Sequence, residues 1–176
     1  MNLYKQYILP RIINRSMRQE KNSQEREELI PRATGIVLEV GFGSGLNLPF
    51  YGRGVAKLYA LDPSDGLWKL AKDRLSQIHF PVEFIPVSAE KIPLADNSID
   101  SIVMTWCLCS VADPAQVLKE LHRVLRANGR LLFIEHGRSP RKIISQWQIW
   151  LTPLWKLLAG GCHLDRPVER DRKSVV

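Results

Sequence analysis

The stretch VLEVGFGSG, residues 37–45, decides the fold. Val37, Leu38 and Val40 form the short apolar run expected of a strand that is covered on both faces. Three glycines at two-residue spacing follow this run, and their missing side chains let the backbone turn tightly and let another group come close. The stretch therefore predicts a buried strand that leads directly into a ligand-binding turn.

Strands and helices alternate along the chain on both sides of this turn. This order indicates an α/β fold, a doubly wound (Rossmann-like) and mostly parallel sheet with helices on both faces. Ligands of such sheets bind beyond the carboxyl ends of the strands. The predicted strands are 36–41, 57–62, 81–87, 100–105 and 130–135, and the predicted helices are 66–77 and 114–126, with a helix or turn at 46–51.

Three regions are predicted around this core. Residues 1–34 form an N-terminal helical segment, interrupted at Pro10, that packs over the sheet or cleft or lies at a membrane interface, and its residues 20–32 are a solvated helix end and connector. Residues 35–136 form the ligand-binding core. Residues 137–176 form a basic tail with a Trp-rich helix at about 141–159. Its apolar face suits either the protein core or an apolar substrate or membrane interface.

Composition limits the function classes. The chain has 176 residues and a formal net charge of +7, and the excess bases lie near both ends. Such an excess suits a nucleic acid, an anionic membrane, an acidic substrate or solubility alone. No apolar run reaches the roughly 18 residues needed to span a bilayer, and the N-terminus does not read as a signal peptide. We therefore expect a cytoplasmic protein, with peripheral membrane contact left open.

An acid at the end of the second predicted strand identifies the ligand class. Asp62 lies 21 residues after Gly41, where a carboxylate accepts hydrogen bonds from both hydroxyls of a ribose. Dinucleotide sites favour G-x-G-x-x-G, but here Leu46 stands where the third glycine would be. Glu39 adds a carboxylate that can orient an ammonium group, directly or through water. These features favour S-adenosylmethionine over a dinucleotide.

Four segments together carry a resemblance to a known family. Residues 37–45, Asp62, residues 88–100 and residues 124–131 resemble class I S-adenosylmethionine-dependent methyltransferases, and among them the ubiquinone and menaquinone biosynthesis group. Residues 155–170 are similar to the branch that includes membrane-associated alkyl thiol methyltransferases. The resemblance implies a methyltransferase with S-adenosylmethionine as its cofactor.

The resemblance also implies roles for individual residues. The glycines would line the methionine half of the cofactor, Asp62 its ribose, and Ser88 and Ala89 its adenine; many relatives have an acid at the Ser88 position. Trp106 and Cys107, just past strand four, would contact the methyl acceptor. The implied cofactor-binding residues are Glu39, Gly41, Gly43, Gly45, Asp62, Pro63, Ser88, Ala89, Glu90 and Thr105.

Catalysis and metal binding rest on few candidates. Glu135 and His136, at the end of strand five, are the candidate general bases; the alternatives are an arginine partner for Glu135 and a backbone-bonded loop histidine. Cys107, Cys109, Cys162 and His163 could be drawn together as a metal cluster. The C-x-C spacing is not that of the usual structural zinc sites, so ordinary buried thiols and no metal are expected.

The acceptor is expected to be a small apolar molecule, a quinol, a thiol or a lipid-like compound. Residues 105–108 lack the acid or asparagine, two prolines and an aromatic that are common in enzymes that methylate base nitrogens, so a nucleic acid is not expected. Family members usually add two strands after the fifth, and we expect this chain to lack them, which would leave strand five as an edge. The alternative is an inactive cofactor-binding or membrane-surface-binding protein, and homo-oligomerisation is left open.

Overall fold

A computed structural model describes residues 3–166, apart from the Lys5 side chain. Its centre is one parallel sheet of five strands in the order β3-β2-β1-β4-β5. This arrangement confirms the predicted fold class. The strands are β1 (Gly35–Val40), β2 (Val55–Leu61), β3 (Val82–Ile85), β4 (Ile99–Thr105) and β5 (Leu125–Ile134).

Helices cover both faces of the sheet. A π-helical turn at Tyr4–Ile8 precedes the first α-helix, and single 3₁₀ turns occupy Ile30–Arg32 and Leu48–Phe50. The α-helices are α1 (Leu9–Ser16), α2 (Glu20–Leu29), α3 (Asp65–Lys69), α4 (Lys72–Leu75), α5 (Pro114–Val124) and α6 (Lys142–Leu158). Pro10 lies in the first turn of α1, where a proline is tolerated, and the break between α1 and α2 falls at residues 17–19.

The alternation of side chains along β1 divides the core into two layers. Leu38 and Val40 pack with the buried face of α5, whereas Val37 packs with Ile30 and Ala71 on the other side. Successive strand residues point to opposite faces, so a strand between two helical layers is apolar on both sides. This packing explains why the run at 37–40 carries so few polar residues.

The order of the strands locates the ligand crevice. From β1 the chain steps outward to β2 and β3, and β4 then pairs on the other side of β1. The crevice of a doubly wound sheet lies at this reversal, outside the carboxyl ends of the strands. The glycine turn at 41–45 follows β1 at that place.

Two predicted helix boundaries differ from the structure. The helix predicted at 66–77 is two short helices, because Leu70 and Ala71 donate to carbonyls three residues back and tighten the chain. The helix predicted to reach Arg126 ends at Val124, and β5 begins at the next residue. Asn97 and Ser98 donate their backbone N–H groups to the last helical carbonyls, so the extended chain replaces another helical turn.

The outer segments also differ from expectation. Residues 20–29 form the separate helix α2 instead of a helix end and connector, and α2 places the Arg26 side chain in the interior at 3% exposure. The apolar face of α6 does not enter the core, since Trp147 and Trp150 are 62% and 78% exposed.

Strand β5 pairs on one side only, with β4, so it is the predicted edge within the described residues. Between residues 3 and 166 no helix combines the length and apolarity needed to cross a bilayer. Residues 167–176 of the predicted tail lie outside the described residues.

Candidate active site

One cavity of about 740 Å³ opens at the carboxyl ends of the central strands. It is walled by the glycine turn, the ends of β2 and β4, and apolar residues of α1 and α6. Of the predicted site residues, Gly45 and Glu135 do not line it. Those that do are Glu39, Gly41, Gly43, Asp62, Pro63, Ser88, Ala89, Glu90, Thr105, Trp106, Cys107 and His136.

The three glycines of the turn serve different purposes. A side chain at Gly41 would collide with the Cys107 side chain, and one at Gly45 would press on Leu48 and Phe42. Gly43 has a φ of 59° and no atom within 3.8 Å of the place a Cβ would take. A Cβ at Gly43 would therefore fill part of the cavity, which is the space that a bound ligand needs.

Asp62 is held in place by the backbone of the same turn. Its Oδ2 accepts from the Gly43 N–H at 2.8 Å, and its Oδ1 accepts from the Ser64 N–H at 2.8 Å. Burial raises its pKa, and these two N–H groups oppose that rise. Each carboxylate oxygen keeps a further lone pair for a ligand hydroxyl. The geometry therefore suits the predicted ribose contact.

The end of the glycine turn discriminates between ligands. A single 3₁₀ turn at Leu48–Phe50 follows it instead of an α-helix. Dinucleotide sites place the pyrophosphate on a helix N-terminus, where unpaired N–H groups face the ligand. No such helix begins directly after the glycine turn. The polar groups at this place therefore fit a ligand that has a ribose and no phosphate. The residues present thus fit S-adenosylmethionine.

Glu39 lies fully buried in a hydrogen-bond network at the floor of the cavity. Its Oε1 accepts from the Asn47 amide at 2.9 Å and its Oε2 from the Tyr51 hydroxyl at 2.7 Å. Burial raises its pKa to about 8, against the lowering effect of Tyr51, Asn47 and Arg26. Any contact with an ammonium group would use the lone pairs that this network leaves.

Arg26 links this network to the loop after β4. Its Nε donates to Asn47 Oδ1 at 2.9 Å, and its guanidinium carbon lies 4.7 Å from the centre of the Trp106 ring. Trp106 has a φ of 50°, a left-handed conformation that is strained for an aromatic residue. Strain of this kind persists where the surroundings hold it, and it clusters at ligand sites. Trp106 is thus fixed at the cavity wall.

The predicted adenine side contains an exposed serine and a structural acid. Ser88 donates its hydroxyl to Glu90 Oε2, while Glu90 Oε1 accepts from the Ala112 N–H at 2.9 Å. Ala89 is buried beside them. Glu90 therefore holds the loop before α5, and Ser88 lies at the cavity with its hydroxyl directed to Glu90.

Glu135 holds the loop after β4 from a position outside the cavity lining. Its Oε1 accepts the N–H groups of Cys107 and Leu108, each at 2.7 Å, and its Oε2 is buried without a partner among the described residues. Burial raises its pKa to about 7. This location favours a positioning role over direct proton transfer to a bound molecule.

The loop after β4 meets two later segments at a cluster of soft donor atoms. Cys162 Sγ lies 3.5 Å from Cys109 Sγ and 3.4 Å from His136 Nε2. The pKa of Cys162 is lowered, first by its contact with the Cys109 thiol and then by the His136 ring. The pKa of Cys109 is raised, first by the same contact with Cys162 and then by burial. His136 is one of the predicted bases, and its Nε2 faces Cys162.

Comparison with known proteins identifies the class. The profile of the methyltransferase domain family matches residues 38–133. The thiol S-methyltransferase TMT1B of Rattus norvegicus is 40% identical over 139 residues, which is 77% of this chain and 57% of that protein. The ubiquinone/menaquinone biosynthesis C-methyltransferase UbiE of Marinomonas sp. is 30% identical over 120 residues, 65% of this chain and 48% of that protein. The crystal structure of YcgJ from Bacillus subtilis superposes with a TM-score of 0.68 at 20% identity, covering 87% of this chain and 66% of that one.

The chain belongs to this methyltransferase domain family, whose cofactor is S-adenosylmethionine. The predicted class and cofactor are therefore confirmed, with likeness to both predicted branches. The chain spans 57% of the length of the rat protein and 48% of the length of UbiE. The likeness to YcgJ concerns the fold alone.

Sequence reasoning missed several site residues because their partners are distant along the chain. Arg26 and Asn47 are polar residues in segments that read as connectors, and nothing local marks them as buried. The cluster was sought with Cys107 and His163, but the structure joins Cys109 and Cys162 to His136. The only available signal was that all three lie just after a predicted strand or helix.

Proposed function

We propose that the chain is an S-adenosylmethionine-dependent methyltransferase acting on a small apolar acceptor, and that the acceptor atom is a thiol sulfur. The observation that carries this proposal is one shared cavity. It brings Gly43 and Asp62 together with an apolar wall formed by Leu9, Ile13 and Leu164, which we call the acceptor wall. An apolar wall next to a few placed polar groups is typical of a small-molecule site.

Different residues of the cavity would bind the cofactor and the acceptor. When bound, the cofactor supplies a methyl group that is carried on a positively charged sulfur. A nucleophile takes this methyl group in a single displacement step. Gly43 leaves the space for the cofactor, and Asp62 orients its ribose. The acceptor wall removes water from an apolar acceptor and holds it in position, and positioning is the main requirement of such a reaction.

A thiol suits this cavity better than a quinol or a lipid. A thiol has a pKa of about 8.5, so it ionises with little assistance. The cavity offers little assistance, because Glu135 lies outside its lining and His136 faces Cys162. The rat relative's name, a thiol S-methyltransferase, supports the same acceptor. UbiE is named as a C-methyltransferase, so a quinol is the second candidate.

The test is a panel of acceptors with isotopically labelled S-adenosylmethionine and the full chain. Aryl and alkyl thiols, a quinol, a phospholipid and RNA are compared by mass spectrometry of the methylated products. We expect S-methylation of thiols, with one S-adenosylhomocysteine formed per product and less of both with Asp62→Ala at the same limiting cofactor concentration. Binding of the cofactor with no methylated product would establish the inactive alternative.

We further propose that the exposed apolar face of α6 contacts an anionic membrane surface. Trp147, Trp150 and Leu154 are more than half exposed on this helix. The Tyr4 hydroxyl donates to the Leu158 carbonyl at 2.8 Å, so the N-terminal turn continues this face. Exposed bases are present on α6 itself, Lys142 and Lys156, and on α1, Arg11 and Arg15. Tryptophans beside bases suit an interface with anionic lipid.

Co-sedimentation with vesicles tests the membrane contact. We expect binding to vesicles containing phosphatidylserine, weaker binding to phosphatidylcholine alone, and loss of binding in a Trp147→Ser/Trp150→Ser double variant. Equal recovery of the double variant and the wild-type chain with the vesicles would contradict the proposal. The cytoplasmic setting and the homo-oligomer stay predictions.

A further inference from the structure

Three donor atoms of the kind that bind soft metal ions meet on the cavity wall. The two sulfurs of Cys109 and Cys162 and a ring nitrogen of His136 all lie within 4.8 Å of one another. All three residues line the same cavity as Gly43 and Asp62. Two thiolates and an imidazole form a donor set typical of Zn²⁺, including catalytic sites that keep a fourth position open.

Two of the three donor distances match the requirements of a tetrahedral ion. With bonds of about 2.3 Å to sulfur and about 2.0 Å to nitrogen, such an ion separates two sulfurs by about 3.8 Å and a sulfur from a nitrogen by about 3.5 Å. Cys162 Sγ lies 3.5 Å from Cys109 Sγ and 3.4 Å from His136 Nε2. These two distances need shifts of only a few tenths of an ångström, and the third pair, Cys109 Sγ and the His136 nitrogen, lies within 4.8 Å.

Backbone contacts hold the three donors together without any ion. The His163 N–H donates to the Cys109 carbonyl at 2.8 Å, which joins the segment of Cys162 to the loop after β4. Gly160 and Gly161, both with positive φ, turn the chain from the end of α6 to Cys162. His136 follows β5, whose pairing with β4 continues to Ile134. The donors come from three segments and are preorganised.

We propose that Cys109, His136 and Cys162 form a Zn²⁺ site on the wall of the methyltransferase cavity, with the fourth coordination position open to a molecule in the cavity. The nearby cysteine and histidine, Cys107 and His163, are not members of this cluster. They therefore provide matched controls of the same residue types.

The open position suggests how the site takes part in the chemistry, an extension that rests on the proposed function. A thiol acceptor binds there as its thiolate: its S–H bond breaks, the proton passes to water, and the sulfur bonds to Zn²⁺. The metal thus holds an ionised sulfur inside the cavity at neutral pH. This accounts for a thiol acceptor in a cavity whose acids and histidine are otherwise engaged.

Metal titration of the reduced full chain tests the site. Metal is removed with a chelator, and Zn²⁺ is titrated against a chromophoric competitor without cofactor or acceptor. We expect one Zn²⁺ per chain, and at least about 100-fold weaker binding in each of Cys109→Ser, His136→Ala and Cys162→Ser, since even outer partners of a ligand are worth 10–100-fold. Cys107→Ser and His163→Ala should keep the wild-type affinity.

Further measurements make the outcome unambiguous. S-adenosylmethionine affinity, measured for every variant, reports whether it is folded. In the Co²⁺-loaded chain, the thiolate-to-cobalt absorption should change when an aryl thiol is added and not when the corresponding alcohol is added. Equal Zn²⁺ affinity in the wild type and a Cys109→Ser/Cys162→Ser variant would overturn the site.

The two proposals fail in different ways. A chain that binds Zn²⁺ but methylates no thiol would disprove the proposed acceptor and keep the metal site. A chain that methylates thiols at an unchanged rate after verified metal removal would disprove the role of the metal in ionising the acceptor and keep the proposed function.

Discussion

The two ends of the cavity are built from different parts of the chain. At the cofactor end, Gly43 and Asp62 belong to consecutive strand-to-loop connections and bond to each other directly. At the acceptor end, the donors Cys109, His136 and Cys162 come from three segments spread over 53 residues. The cofactor end is thus a local motif with backbone donors, whereas the acceptor end depends on tertiary packing of side chains.

This difference has a consequence for mutation. A change at the cofactor end should alter the affinity for S-adenosylmethionine and leave the acceptor wall intact. A change at the acceptor end should alter recognition of the acceptor and leave the cofactor affinity nearly unchanged. The predictions below test this separation in order of their expected effect.

The largest effect is expected from Gly43→Val. Its side chain would occupy open cavity space, at a backbone φ of 59° that L residues rarely adopt. We expect the Kd for S-adenosylmethionine to rise at least about 100-fold, measured by calorimetry, because the ligand and the new side chain need the same volume. Gly52→Val is the control, since a Cβ there meets only the Pro31 carbonyl at 3.8 Å. Similar losses in both variants would argue against the placement of the ligand.

Asp62→Ala should follow. The loss of a buried acceptor for the ribose hydroxyls should weaken cofactor binding by about 1–3 kcal/mol. Asp65→Ala removes an exposed carboxylate three residues away and should leave the Kd within about twofold. An unchanged affinity in Asp62→Ala would overturn the ribose assignment.

A smaller, pH-dependent effect is expected at Glu39. Burial raises its folded pKa to about 8, so the folded chain holds a proton that the unfolded chain releases near pH 4.5. The stability that this proton contributes is complete at low pH and is lost as the pH rises towards 8. Between pH 5 and 7, the unfolding free energy of the wild type should fall relative to Glu39→Gln by about 2–2.5 kcal/mol.

Denaturant unfolding at several pH values measures this difference. Glu28→Gln, an exposed change on α2, is the control and should follow the wild type. If wild type and Glu39→Gln keep a constant difference across this range, Glu39 is ionised throughout and the network with Asn47 and Tyr51 holds a carboxylate.

The smallest effect on the cofactor is expected at the acceptor wall. Ile13→Ala removes apolar surface from the cavity and should raise the KM for an apolar thiol about threefold to tenfold, with the S-adenosylmethionine Kd within about twofold. Ile12→Ala, the exposed neighbour, should change neither value. A parallel loss of cofactor affinity in Ile13→Ala would show that the two ends are coupled.

The same contrast explains how far the sequence could be interpreted. The cofactor end was predictable because a strand, a glycine turn and an acid at fixed spacing lie within 26 residues of one another, from Val37 to Asp62. The cap of α5 was predictable for the same reason: Asp113 accepts from the Gln116 N–H, with Pro114 in the first turn. Local chemistry determines such features.

The rest depended on tertiary contacts. Nothing near Arg26 indicates that it is buried against Asn47 and Trp106, and a polar helix normally faces water. The apolar residues of α6 had the pattern of a core helix or an interface, and periodicity alone does not separate the two. The pairing of Cys162 with His136 instead of a role for His163 follows from the turn at Gly160 and Gly161.

Calorimetric titration of the full chain with S-adenosylmethionine tests the central claim most directly. The account predicts binding of one molecule per chain, similar binding of S-adenosylhomocysteine, weaker binding by Asp62→Ala, and no heat from NAD⁺ at the same concentrations. If neither sulfur ligand binds at high micromolar concentration, or if NAD⁺ binds in their place, the assignment of the glycine turn and Asp62 to a methyl donor is contradicted.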